Sequence, residues 1–411
     1  MIKKTVLIFM AFVFIQTLLL SKILILPLKV EKSDKSHYWL SKGLSFYLST
    51  KLNCYDIYGF TDAETSKILS ENAIHLPYRF TKASAIRIGL NNKADTVIWG
   101  DIHITGSQTD SKEISIHTYL IDLNNLKQSF LPIIRGSLKD LSMIHETLFN
   151  SILKKLGIAQ VKPEHPPLHF PNQSYELFIK SRLTSKFTEK IHLLKNAGNL
   201  IKDNKAYRTF IDLIEFELAS IYYSEGDLVN AETHLKAISE GSPFHRNKQF
   251  IHALIHANRE NDNTAIKLFR QLENHNSFKD SIYNNIGVLF VKTEKYEAAE
   301  KYLNRTKKDC IIRYDNLLNL YLRGNDWQKT KQTVIDALNH FPKRNEFVSL
   351  FHHYLIKDVS KPILLNLFGE YLDFDNLINY FKLEFKLEYL NPFDSSTILE
   401  DNLDLDRNHI Y

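Results

Sequence analysis

The sequence predicts an α+β protein, a small mixed α/β domain followed by an all-α helical-repeat domain, and three observations carry that expectation. Ala219, Ala253 and Gly287 stand thirty-four positions apart, and each is followed twelve positions later by an alanine, Ala231, Ala265 and Ala299. Residues 22–157 have a different rhythm, in which short apolar strand-like runs alternate with helical ones. Between the two lie residues 161–171 with Pro163, Pro166, Pro167 and Pro171. Prolines at that density stop a helix and favour an extended, fairly stiff connection, so the domain boundary is expected there.

The chain begins with Lys3 and Lys4 ahead of an uninterrupted apolar stretch over residues 5–20, broken at Ser21 and Lys22. A positive start followed by an apolar stretch of this length fits a secretory leader, and it is short for a spanning helix, which needs about 20 apolar residues. The expectation for residues 1–21 is a signal peptide cleaved near Ser21. An uncleaved segment would attach the protein to the membrane through residues 5–20. Either way the protein is expected to be periplasmic or secreted. No cysteine lies near the cleavage region, so lipidation is not expected.

At 411 residues the chain suits two domains of ordinary size, and 44% apolar with 12% aromatic residues places it among globular proteins. A formal charge of +5 is small for this length and gives no nucleic-acid footprint. Only Cys54 and Cys310 are present, one in each half, so there is no disulfide framework.

The first domain is expected over residues 22–160. An apolar strand over residues 23–28 precedes a helix over residues 37–52, whose Leu40, Leu44, Leu48 and Leu52 share one face. Residues 54–60 read as a second strand. Thr61 and Glu64 have the spacing of a capping box and open a short helix through Leu69. A further helix covers residues 83–90. Strands are expected over residues 96–105 and 114–123, joined by the polar segment 106–112 as a hairpin, and another over residues 130–134. Leu141, Ile144, Leu148, Ile152 and Leu156 close the domain as an amphipathic helix over residues 138–156.

Residues 172–345 form the repeat array. Its clearest units read Leu218-Ala219-x-x-Tyr222, Ala231-x-x-x-Leu235, and Tyr283-x-x-Ile286-Gly287-x-x-Phe290, Ala299-x-x-x-Leu303. Between them Ala253, His256, Ala265 and Phe269 keep the spacing. After a connection three residues shorter, Leu318, Tyr321, Thr330 and Val334 give a fourth unit, and Tyr175, Phe178, Ile179 and Leu194 mark a degenerate one upstream. These residues resemble the tetratricopeptide repeat, in which a small residue sits where the two helices of a pair cross most closely. The resemblance implies paired helices stacked into one core with a concave groove, a surface that binds proteins. Capping helices and an acidic tail are expected over residues 346–411, where Asp394, Glu400, Asp401, Asp404 and Asp406 concentrate negative charge.

The first domain also carries a resemblance. The strand KILILPL, the helix around Trp39-Leu40-Ser41-Lys42-Gly43-Leu44, the phrase Ala94-Asp95-Thr96-Val97-Ile98-Trp99-Gly100-Asp101 and the run Tyr119-Leu120-Ile121-Asp122 are similar to the amino-terminal domain of TolB-type, FlgO-type and CsgG-like envelope proteins. That domain followed by tetratricopeptide repeats resembles the periplasmic part of CadC-like regulators. Those regulators carry a DNA-binding winged helix before their membrane span, where this chain has only four residues. A direct transcriptional role is therefore not expected.

Chemistry leaves little trace. No phosphate-cradling glycine loop, GxSxG elbow, HExxH or paired CxxC is present. His103 and His117, on neighbouring expected strands with Asp101 and Asp122 nearby, are the best candidate for a metal site, which needs three or four ligands in tetrahedral reach. Two surface imidazoles on the polar side of a hairpin are the alternative and the better reading. His352 and His353 point to different sides of a helix. The chain is accordingly expected to be no enzyme and to need no cofactor.

Binding is the better-supported expectation. In the tetratricopeptide family the first helix of each pair lines the groove, and aligning on the small residues implies Phe216, Ser220, Tyr223, Phe250, Leu254, Asn258, Asn284, Val288, Lys292, Asn319 and Arg323 as partner-binding residues. Apolar anchors in the early repeats and amide or basic donors in the later ones suit an extended or helical segment of a protein partner in the cell envelope. The leading expectation is a scaffold or assembly factor. The alternative is a periplasmic sensor or signalling subunit whose α/β domain binds a small ligand and acts through the repeats.

Overall fold

The computed structural model describes residues 22–31, 35–54, 57, 59–75, 78–106, 112–158, 168–274, 278–308, 310–342 and 387–391. The expectations for residues 1–21, for His352 and His353, and for most of residues 161–171 and 346–411 lie outside them. The described residues fall in two compact units, one reaching to His245 and the other within Arg246–Pro392.

In the first unit β1 (Ile23–Ile25) and β2 (Lys29–Val30) precede α1 (Trp39–Cys54), α2 (Asp62–Glu71) and α3 (Lys82–Asn91). Then come β3 (Thr96–Thr105), β4 (Glu113–Asp122), β5 (Lys127–Phe130), β6 (Ile134–Ser137) and α4 (Leu141–Lys155). β3 and β4 are the two long central strands, paired antiparallel from Thr96 opposite Asp122 to Thr105 opposite Glu113. β1 and β2 run parallel to β3 along its free edge, and β5 and β6 run antiparallel to β4 along the other. Each edge is thus one interrupted strand. Pro27 and Pro132 stand in the interruptions, where a residue with no N–H can leave the ladder.

Helices whose apolar stripes the sequence announced cover one face of the sheet, and on the other face they cover the end that holds Val97 and Ile121, while Asp101, His103, Ser115 and His117 stay half-buried. Leu40, Leu44, Leu48 and Leu52 of α1 and Leu141, Ile144, Leu148 and Ile152 of α4 are all buried. On the other side Ile68 and Leu69 of α2 and Ala85 and Ile88 of α3 join Leu24, Leu26, Val97 and Ile121 in one cluster. Thr61 and Glu64 form the expected capping box, each side chain meeting the other's backbone N–H. Gly100 has no alternative in this sheet, because a Cβ there would lie 2.1 Å from the carbonyl oxygen of His117 on β4.

Two strand expectations are corrected. Residues 54–60 hold no strand among the described residues: α1 runs on to Cys54, and Gly59 makes only an isolated bridge to Ile23. Residues 130–134 are split, with β5 ending at Phe130 and β6 starting at Ile134. Pro132 supplies the reason, since it cannot donate to a continuous ladder.

The same unit continues into helices: α5 (Asn172–Ser181), α6 (Phe187–Asn199), α7 (Arg208–Ser224) and α8 (Leu228–Ala237). The second unit holds α9 (His245–Asn258) from Arg246 onward, then α10 (Asp262–Leu272), α11 (Lys279–Lys292), α12 (Tyr296–Leu303), α13 (Ile311–Arg323) and α14 (Trp327–His340). The fold is therefore α+β with a helical-repeat region. Every residue expected at a close crossing is sealed from solvent, Ala219, Ala231, Ala253, Ala265, Ala299, Leu318 and Thr330 at 0% exposure. At Gly287 a Cβ would stand 2.6 Å from Cγ of Leu303, so α11 and α12 approach as closely as a missing side chain permits. The turns repeat as well. Gly226, Glu260, Glu294 and Asn325, each seven residues after the crossing position of its first helix, all take a left-handed backbone with φ between 53° and 79°.

Candidate functional site

α11 and α13 are the first helices of successive pairs. Two residues before their crossing positions, Gly287 and Leu318, stand Asn285 and Asn316. Periodicity alone therefore puts two carboxamides at the same place in neighbouring repeats. Asn284 lies between them, accepting from Nδ2 of Asn316 at 2.8 Å and donating to Oδ1 of Asn285 at 3.2 Å. All three side chains are fully buried.

A buried carboxamide is costly unless its donors and acceptor are matched. Here the match comes from the main chain of residues 387–391, a stretch with no regular secondary structure of its own. Asn316 accepts from the Glu388 N–H at 2.9 Å and donates to the Glu388 carbonyl at 3.0 Å. Asn285 treats Leu390 in the same way, at 2.7 Å and 2.9 Å. Asn284 adds a donation to the Glu388 carbonyl at 3.0 Å. In an extended chain the N–H and C=O of alternate residues project from one edge. Residues 388 and 390 present that edge, and each carboxamide acts as the strand partner of one residue. Tyr389 between them is half-buried, and burial together with the Asp262 carboxylate pushes its hydroxyl pKa upward.

The residues expected to bind a partner are placed as follows. Asn284 is part of the clamp. Phe250, Leu254 and Val288 are completely buried, with Phe250 packed against Phe269 and Phe278. Asn319 is buried, whereas Asn258 and Arg323 are exposed. Lys292 reaches Oδ1 of Asp262 at 3.2 Å. In the first unit Phe216 stacks on Phe244, Ser220 is buried and Tyr223 is half-buried. Asn285 and Asn316 were missed because alignment on the small residues selected other helix positions. The available signal was a carboxamide repeated in register with Gly287 and Leu318; Ile251 and Glu217 occupy that register in the earlier pairs and interrupt it.

Glu217 has a different use. Arg182, just after α5, meets its carboxylate at 2.5 Å and that of Asp62 on α2 at 2.9 Å, while Lys42 of α1 reaches Asp62 at 2.7 Å. Burial opposes the Asp62 charge, but Lys42 and Arg182 outweigh it and hold the carboxyl below its usual range. The Tyr175 hydroxyl donates to the Gly43 carbonyl at 2.5 Å, and the Arg182 guanidinium lies over the Phe46 ring. Within the first unit, α/β elements and repeat helices are thereby joined by buried polar groups.

His103 and His117 do share a face of the β3–β4 pair, with ring centroids 4.6 Å apart, and His103 Nδ1 lies 2.9 Å from Glu31. Among the described residues no group of three or more His, Cys, Asp or Glu side chains is arranged to hold a metal ion. None of the described helices is long and apolar enough to cross a membrane.

No family model matches the chain, and no curated protein matches it. Several solved structures resemble part of it, two of them as follows. A lipoprotein from Neisseria meningitidis is 18% identical, covering 33% of this chain and 98% of its own, with a TM-score of 0.25. A hypothetical protein from Chlamydia trachomatis is 16% identical over 34% of this chain and 99% of its own, with a TM-score of 0.23.

Proposed function

We propose that this is a non-enzymatic, exported cell-envelope protein whose helical repeats hold an extended segment of a protein partner, as a scaffold or assembly factor does. The observation that carries the reading is the carboxamide clamp. Asn285 and Asn316 satisfy the two backbone polar groups of alternate residues in an extended chain, which is the chemistry by which a groove takes a peptide through its main chain. The charged start and apolar residues 5–20 support export. Photo-crosslinking in the native host from Arg323, compared between the wild-type chain and Asn285→Ala/Asn316→Ala, tests it. A partner crosslinked by the former and lost in the latter is the expected result; an unchanged crosslinking pattern refutes the reading.

The sensor reading has one observation in its favour, the Lys42, Asp62, Arg182 and Glu217 chain, which would pass a change in the α/β elements to α7. A small-molecule screen by thermal shift on the whole protein tests it, with a ligand-induced rise in Tm expected and lost on substituting the residues that hold the ligand.

A further inference from the structure

The segment that fills the clamp belongs to this chain. Residues 387–391 use the same N–H and C=O edge that any extended partner would have to offer, so the clamp cannot hold both at once. We infer that residues 387–391 are a resident strap which occupies the peptide groove in cis, and that an extended partner segment binds by displacing it. This rests on the groove being a peptide site, and it adds that the site is closed at rest.

Three features shape the competition. Recognition runs through the backbone, so the occupant's sequence is only loosely specified and a foreign peptide can replace the strap. The strap lies opposite to the repeat order, residue 388 on α13 and residue 390 on α11, which fixes the direction a competitor must adopt. Its side chains at 387, 389 and 390 are half-buried, so a competitor with apolar or aromatic residues at corresponding places matches it best.

The test uses the full chain and a fluorescent peptide of residues 384–393. In the Glu388→Pro/Leu390→Pro variant the strap loses both N–H donors that face the asparagines. A tethered competitor acts at an effective concentration of about 1 mM. Releasing it is expected to tighten peptide binding by about tenfold or more over wild type, and adding Asn285→Ala/Asn316→Ala to that variant should abolish the binding. Hydrogen exchange on the wild-type chain is the second measurement. The amides of residues 388 and 390 should be protected, and should lose protection in Asn285→Ala/Asn316→Ala. Equal peptide affinity for wild type and the proline variant, with both sensitive to the asparagine substitutions, overturns the strap and leaves the peptide groove standing. Absence of binding to every variant, with unprotected amides at 388 and 390, overturns the groove and the strap together.

Discussion

Asn285 and Asn316, at one register of successive helix pairs, each engage both backbone polar groups of a single residue in the same extended segment. With the donation from Asn284 to the Glu388 carbonyl, these carboxamides make five hydrogen bonds to the main chain of the described segment. Each contributes about 1 kcal/mol net. Ordering a backbone residue costs about 1–2 kcal/mol, so fixing five residues costs as much or more. The clamp alone therefore holds its occupant weakly, and the half-buried side chains of the segment supply the balance. A weakly held occupant is one that can be exchanged.

Arg182 balances two carboxylates that are themselves mostly buried, at 11% and 19% side-chain exposure. Removing it leaves Asp62 with Lys42 alone and Glu217 without its guanidinium. Arg182→Met should lower stability by about 3 kcal/mol, read as a shift in the denaturant midpoint with an unchanged slope. In the double variant Arg182→Met/Glu217→Leu part of that loss should return, because the stranded charge is gone.

At Gly287 two effects oppose each other. Alanine is a better helix former than glycine by about 1 kcal/mol, but its Cβ would meet the Leu303 side chain at 2.6 Å. Leu303 is flexible enough to give way in part, so Gly287→Ala should cost only about 1 kcal/mol. Gly287→Leu has no room between α11 and α12 and should cost about 3 kcal/mol or more. Thermal unfolding of the two variants separates them.

Glu260 and Glu294 hold left-handed backbone, φ 60° and 58°, at the turn position where Gly226 stands in the earlier pair. That conformation costs a residue bearing a Cβ roughly 1 kcal/mol. Glu260→Gly and Glu294→Gly should each be neutral to stabilising, by up to about 1 kcal/mol. A fall in Tm for both would show that their side chains hold the turns.

His145 lies among Tyr47, Phe170 and Tyr175, and burial lowers its pKa to about 3. It stays neutral in the folded protein at a pH where the unfolded chain, with a histidine pKa of about 6.5, is protonated. The unfolded state then binds the extra proton, so stability rises with pH across this window and falls as the solution is acidified below about 6.5. From this group alone the loss between pH 7 and pH 5 is about 2 kcal/mol. His145→Phe should flatten that part of the profile in urea titrations run at successive pH values. Asp62, whose pKa is depressed, contributes its loss only lower, as pH falls through the carboxylate range.

Local pattern along the chain was enough to specify the class of the fold and most of its elements. The leucine stripe of α1, the Thr61 capping box, the β3–β4 pair and the burial of Ala219, Ala253, Gly287 and their partner alanines follow from local periodicity and from sterics between neighbours, and the structure bears them out. Contacts between distant stretches of chain supplied what local pattern does not encode. They split the edge strand at Pro132, carried α1 through Cys54, and linked Lys42, Asp62, Arg182 and Glu217 across four separate stretches of chain. They also chose Asn285 and Asn316 over other positions on the same helices and matched them to residues 388 and 390. A carboxamide's role depends on what meets it in space, and the partners here lie 105 and 72 residues away. Periodicity reaches only as far as the next turn or the next repeat.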